Sequence, residues 1–74
     1  MATQKHIKLT GISNVSWKDA INQTILEASN TIHNINDVIV LDQRAKIDNG
    51  KIIEYYATID LTFTIEPNRE DSDE

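Results

Sequence analysis

Cysteine is absent from the 74 residues. That removes disulfides, thiolate metal centres and thiol nucleophiles together. Histidine is scarce as well: His6 and His33 stand too far apart to read as a metal motif. No apolar run approaches the roughly 20 residues a membrane-spanning helix needs. The opening MATQKHIK has no hydrophobic core of a secretory signal, so the chain reads as cytoplasmic, with no membrane partner. Positive charge is also in deficit, with seven Lys and Arg against twelve Asp and Glu. Without a basic surplus there is no footprint for a phosphate backbone, which excludes nucleic acid as the expected partner. Glu66, Glu70, Asp71, Asp73 and Glu74 hold much of the acid excess, relieved only by Arg69. Residues 67–74 therefore read as an acidic disordered tail, and 1–66 as a single domain.

A domain this small buries only about 60% of its unfolded surface. Disulfides, a structural metal or association normally compensate. With the first two excluded or unsupported, association with copies of itself is the expectation.

The residues present are those of an α+β domain. In 4–10, Ile7 and Leu9 alternate with His6, Lys8 and Thr10, which predicts a strand ended by Gly11, with a loop over 12–15. Ser16-Trp17-Lys18-Asp19 resembles a capping box with Asp in place of Glu. Ile21, Ile25, Ala28, Ile32 and Ile35 then recur at helical spacing, predicting a helix over about 16–33 with His33 in its last turn. Residues 37–48 and 51–66 are rich in β-branched side chains and flank Asn49-Gly50, a strong signal for a two-residue hairpin turn. The order is β-α-β-β, giving a three-stranded antiparallel sheet, order 1-3-2, wrapped around one helix.

A two-residue turn pairs Val40 with Ile59 and Val38 with Leu61 on the helix side. The opposite face then carries Ile39, Leu41, Ala45 and Ile47, beside Tyr56 and Thr58. One helix cannot cover both sides of such a strand. An uncovered apolar strip marks an interface.

The strand entry KLTGIS (8–13), the helix VSWKDAINQTILEASNTI (15–32), the segment VIVLDQRAKI (38–47) and the closing EYYATIDLTF (54–63) together resemble the dodecins. These are small flavin-binding or ligand-binding proteins that assemble as hollow dodecamers, and the resemblance covers about residues 5–66. It implies a non-catalytic homododecamer. Flavin-binding dodecins are similar in carrying a tryptophan at the start of the second strand, which stacks on the flavin ring, and a glutamine in the third strand. Here those positions hold Asp37 and Tyr56. With Gln43 they make up the face on which the resemblance locates a flavin cofactor. A carboxylate cannot stack on a ring as an indole does, so the expected flavin binding is weakened or lost. Trp17, in the first helical turn and away from that strand, and the stretch around Asp42-Gln43 look like the calcium-associated dodecins.

Calcium and magnesium favour oxygen ligands. Asp37, Asp42, Asp48, Glu54 and Asp60 are the candidate acids, none in an EF-hand spacing. Asp42 is the expected metal residue, because one carboxylate near a threefold axis is presented three times. An ion pair with Arg44 or a neighbour's lysine is its ordinary alternative. Ser13, Ser16 and Ser29 have no His–Asp partner pattern, so no nucleophilic site is read. Two readings follow: a shell that binds or stores a small ligand, flavin itself or a divalent cation among them, and a structural or interaction oligomer.

Overall fold

The computed structural model describes residues 3–65. Strand β1 (Thr3–Ser13) leads into helix α1 (Trp17–Ser29), followed by β2 (Ile35–Asp48) and β3 (Lys51–Ile65). The sheet is antiparallel in order β1-β3-β2. The tail expected at 67–74 lies outside the described residues.

Gly11 does not end β1. It pairs with Ala57, and the strand continues through Ile12 and Ser13. The glycine serves close approach instead: a Cβ there would collide with Thr24 Oγ1 and lie 2.6 Å from the Ala20 carbonyl oxygen. The small faces of Ala20, Thr24 and Ala28 settle onto the strand at this point, and all three are buried. Thr24 folds its hydroxyl back onto the Ala20 carbonyl at 2.7 Å, so no polar atom is stranded there.

Helix α1 starts where its cap predicts. The Ser16 hydroxyl accepts from the Asp19 backbone N–H at 2.9 Å. The Asp19 carboxylate accepts from the Ser13 hydroxyl at 2.7 Å, tying the helix start to the end of β1. The helix stops at Ser29, earlier than the apolar stripe suggests. Thr31 and Ile32 both donate to the Ala28 carbonyl, and Asn34 takes φ 63°. Ile35 thus opens β2 rather than closing the helical stripe, and His33 lies beyond the helix.

The core is Ala28, Ile59 and Leu61, with Ile7, Leu9, Ile21, Ile25 and Val38 packed around it. It sits between α1 and the β1–β3 half of the sheet, where the helix makes its main contacts. The helix barely reaches β2 or the distal hairpin. The radius of gyration is 16.2 Å, against about 11 Å for a compact domain of this size. No helix among the described residues is long and apolar enough to cross a membrane.

The register corrects the faces expected for β2. Val38 opposes Leu61 and Val40 opposes Ile59 as the turn requires, but Asp42 then opposes Thr58, leaving Leu41 as an extra residue. A second irregularity near the tip pairs Lys46 with Glu54 and Ile47 with Ile52. Each bulge reverses the alternation beyond it. Ala45 and Ile47 therefore lie on the helix side, not on the opposite face, and Ile39 alone of the expected strip keeps its place opposite Asp60.

Candidate functional site

The sheet face away from the helix is polar. Its rows across β1, β3 and β2 run His6–Thr62–Asp37, Lys8–Asp60–Ile39, Thr10–Thr58–Asp42 and Ile12–Tyr56–Arg44. Strand alternation puts these side chains together. At one end, the His6 ring Nδ1 lies 3.2 Å from Asp60 Oδ2 and 3.3 Å from Thr62 Oγ1. In mid-sheet the Thr10 and Thr58 hydroxyls are 3.0 Å apart. Toward the hairpin the Arg44 guanidinium lies over the Tyr56 ring, 5.1 Å from its centre. The Tyr56 hydroxyl donates to Glu54 at 2.8 Å, and Arg44 Nε donates to Asp42 at 3.2 Å. The hydrogen bond to Glu54, then partial burial and the Glu54 charge, hold the Tyr56 phenol above its ordinary pKa, while Arg44 pulls it back.

The expected site residues are distributed unevenly over this structure. Asp37 and Tyr56 do share the outer face. Asp37 opposes Thr62, however, six residues along β3 from Tyr56, or about 20 Å at strand rise. Gln43 opposes Ala57 and so lies on the helix side. With Val40, Leu41 and Asp42 it lines a shallow depression of about 350 Å³ at the bulge. Asp42 is on the outer face, engaged by Arg44. Among the described residues, no three His, Asp or Glu side chains stand close enough together to hold a metal ion.

Trp17 is not remote from β2. Its indole Nε1 donates to the Arg44 carbonyl at 2.8 Å, and its ring meets Tyr55 edge-on at 4.9 Å. The first helical turn is thereby fastened to the strand that also carries Arg44. Two contacts escaped the sequence reading. The His6–Asp60 pair was open to inference from the β1–β3 register, whereas Arg44 over Tyr56 depends on the bulge at Leu41.

A larger groove of about 380 Å³ runs along the free edge of β1, lined by Leu9, Gly11 and Ile12 with Gln23, Glu27 and Ala28 of the helix. Exposed apolar side chains include Ile12 in this groove, Val15, Leu26 and Ile39, and a further set on the hairpin strands at Val40, Leu41, Ile47, Ile52 and Ile53.

The family model described as Dodecin matches residues 3–66. No curated protein matches the chain. Among solved structures, a dodecin from Streptomyces davaonensis is 26% identical with a TM-score of 0.83, covering 89% of this chain and 97% of its own. An arginine-to-alanine mutant of the Thermus thermophilus dodecin is 22% identical with a TM-score of 0.86, covering 92% and 100%. The calcium dodecin of Mycobacterium tuberculosis, described as a calcium-chelating immunodominant antigen with a novel calcium-binding site, is 26% identical. Its TM-score is 0.75, and the match covers 90% of this chain and 96% of that one.

Proposed function

The chain belongs to the dodecin family, and on that premise we propose that it forms a non-catalytic homo-oligomeric binding shell, a dodecamer, in which flavin binding is weakened or lost. The observation that carries the assembly is the uncovered apolar edge of β2. Val40 is 44% exposed, Leu41 50% and Ile47 59%, in a chain whose helix covers the other half of the sheet. Apolar side chains left exposed in this way are stable when a neighbour covers them.

The residues on the outer face do not fit a flavin. Asp37 is an exposed carboxylate where a stacking ring would be needed. The Tyr56 ring already carries a guanidinium, and its hydroxyl is committed to Glu54. Losing one ring-stacking platform costs about 1–3 kcal/mol, judged from nucleobase stacking. Flavin storage is therefore the lesser reading. A divalent cation, calcium or magnesium, at Asp42 is a second one. The likeness to a calcium dodecin favours it, and the Arg44 partner of Asp42 competes with it.

Native mass spectrometry with riboflavin titration tests the proposal. We expect twelve subunits and no submicromolar quenching of riboflavin fluorescence. A stable folded monomer would end the assembly reading, and tight quenching would restore the flavin one. Melting with calcium, with magnesium and with chelator decides the cation. Identical curves for wild type and Asp42→Asn would leave the Asp42–Arg44 ion pair alone.

A further inference from the structure

The tip of the β2–β3 hairpin carries a reactive pair of residues that the binding reading does not use. Asn49 and Gly50 form the two-residue turn, closed by the pairing of Asp48 with Lys51, and all four are exposed. In an Asn-Gly sequence the backbone nitrogen of the glycine can attack the asparagine side-chain amide, because no following side chain blocks it. The remaining asparagines, Asn14, Asn22, Asn30, Asn34, Asn36 and Asn68, precede Val, Gln, Thr, Ile, Asp and Arg, each of which crowds that approach. Space is not what restrains Asn49. The position a Gly50 Cβ would occupy has nothing within 4 Å.

The restraint is conformational. Asn49 has φ 54° and Gly50 φ 74°, the left-handed pair of a type I′ turn. Closing a five-membered ring through Asn49 Cγ requires its Cβ and the Gly50 nitrogen to come onto the same side of the Cα–C bond. In the left-handed region ψ is about +47°, which turns that nitrogen nearly opposite to Cβ. The closed turn thus holds nucleophile and electrophile apart.

We propose that Asn49 is a self-modification site, silent while the hairpin turn is closed and released when its tip opens. On opening, the Gly50 nitrogen gives up its proton and bonds to Asn49 Cγ. The Cγ–Nδ2 bond breaks and ammonia leaves with that proton, giving a cyclic imide. Water then adds to either ring carbonyl and one ring C–N bond breaks. The product is aspartate, or isoaspartate with the main chain rerouted through Cβ. Nothing is oxidised or reduced, and the sum is water in and ammonia out. Both products place a new carboxylate beside Asp48. Isoaspartate also adds a backbone methylene to a turn that fits two residues, so it would loosen the Asp48–Lys51 and Ile47–Ile52 pairs.

The test compares the full chain, native and urea-unfolded, at mildly alkaline pH by peptide mapping with isoaspartate detection. We expect a gain of one mass unit at Asn49 in urea, well ahead of the other asparagines. In the native chain it should be slower by about tenfold or more, as local opening must precede it. Lys51→Pro removes the backbone N–H that closes the turn and should move the native rate toward the urea rate. Equal native and unfolded rates in wild type, no reaction at Asn49 in urea, or an unchanged native rate in a folded Lys51→Pro would each overturn the proposal. If Lys51→Pro does not fold, the two wild-type rates decide.

Discussion

Tyr56 sits between an acid and a base on one sheet face, and its ionisation links to folding. The phenol gains a hydrogen bond to Glu54 on folding, which favours the neutral form and raises its pKa above 10.0. The folded state then holds the proton more tightly than the unfolded chain. Below pH 10 both states are protonated and the contribution is fully present. As pH rises through the folded value it is lost. Wild type should therefore lose melting temperature in that window, and Tyr56→Phe, which keeps the ring under Arg44, should lose less. Parallel alkaline melting profiles for the two proteins would show that the Glu54 hydrogen bond does not couple to stability.

Between elements, the closest fit is that of α1 on β1 at Gly11. A methyl group there meets a side-chain oxygen that can move and a backbone oxygen that cannot. Gly11→Ala should destabilise by about 1–3 kcal/mol in denaturant unfolding, as overpacking does. Adding Thr24→Ala should not restore stability, because the Ala20 carbonyl stays in place. Recovery in the double variant would mean that the helix backbone yields. This same glycine shows why sequence reading succeeded and where it stopped. The period of β3, the Asn-Gly turn and the Ser16 cap are local signals, and they carried the element order and the 1-3-2 sheet. Gly11 looked like a chain break because its reason lies thirteen residues away, in Thr24. The faces of β2 beyond Leu41 were misread because a bulge leaves no local mark. Val-Ile-Val-Leu-Asp-Gln reads as unbroken alternation until a partner strand skips a residue. For the site the loss was larger. Asp37 and Tyr56 were rightly placed on one face, and the two-residue turn already sets Asp37 opposite Thr62, six residues from Tyr56; only the bulge at Leu41 moves Gln43 to the helix side.

At the scale of the molecule, the sheet outruns its cover. Strand β3 is 15 residues long, about 50 Å at strand rise, while the 13-residue helix spans about 20 Å. The overhang is where Ile47 and Ile52 lie exposed, and beside the core the β2 edge leaves Val40 exposed too. Val40→Asp puts a charge on that edge, opposite the buried Ile59. We expect smaller species in native mass spectrometry than wild type gives at the same concentration. An unchanged subunit count would place the interface on another surface.

Trp17 bridges the covered and overhanging parts of the sheet, its indole hydrogen-bonded to β2 and its ring edge against Tyr55 of β3. It is also the chain's one tryptophan. Its emission is therefore an intrinsic optical gauge of a single seam, where the start of the helix meets the hairpin. Undocking of that seam wets the indole and shifts its spectrum to the red. Followed beside particle mass, that colour would separate dissociation of the proposed assembly into intact subunits from subunits whose hairpin has come away from the helix.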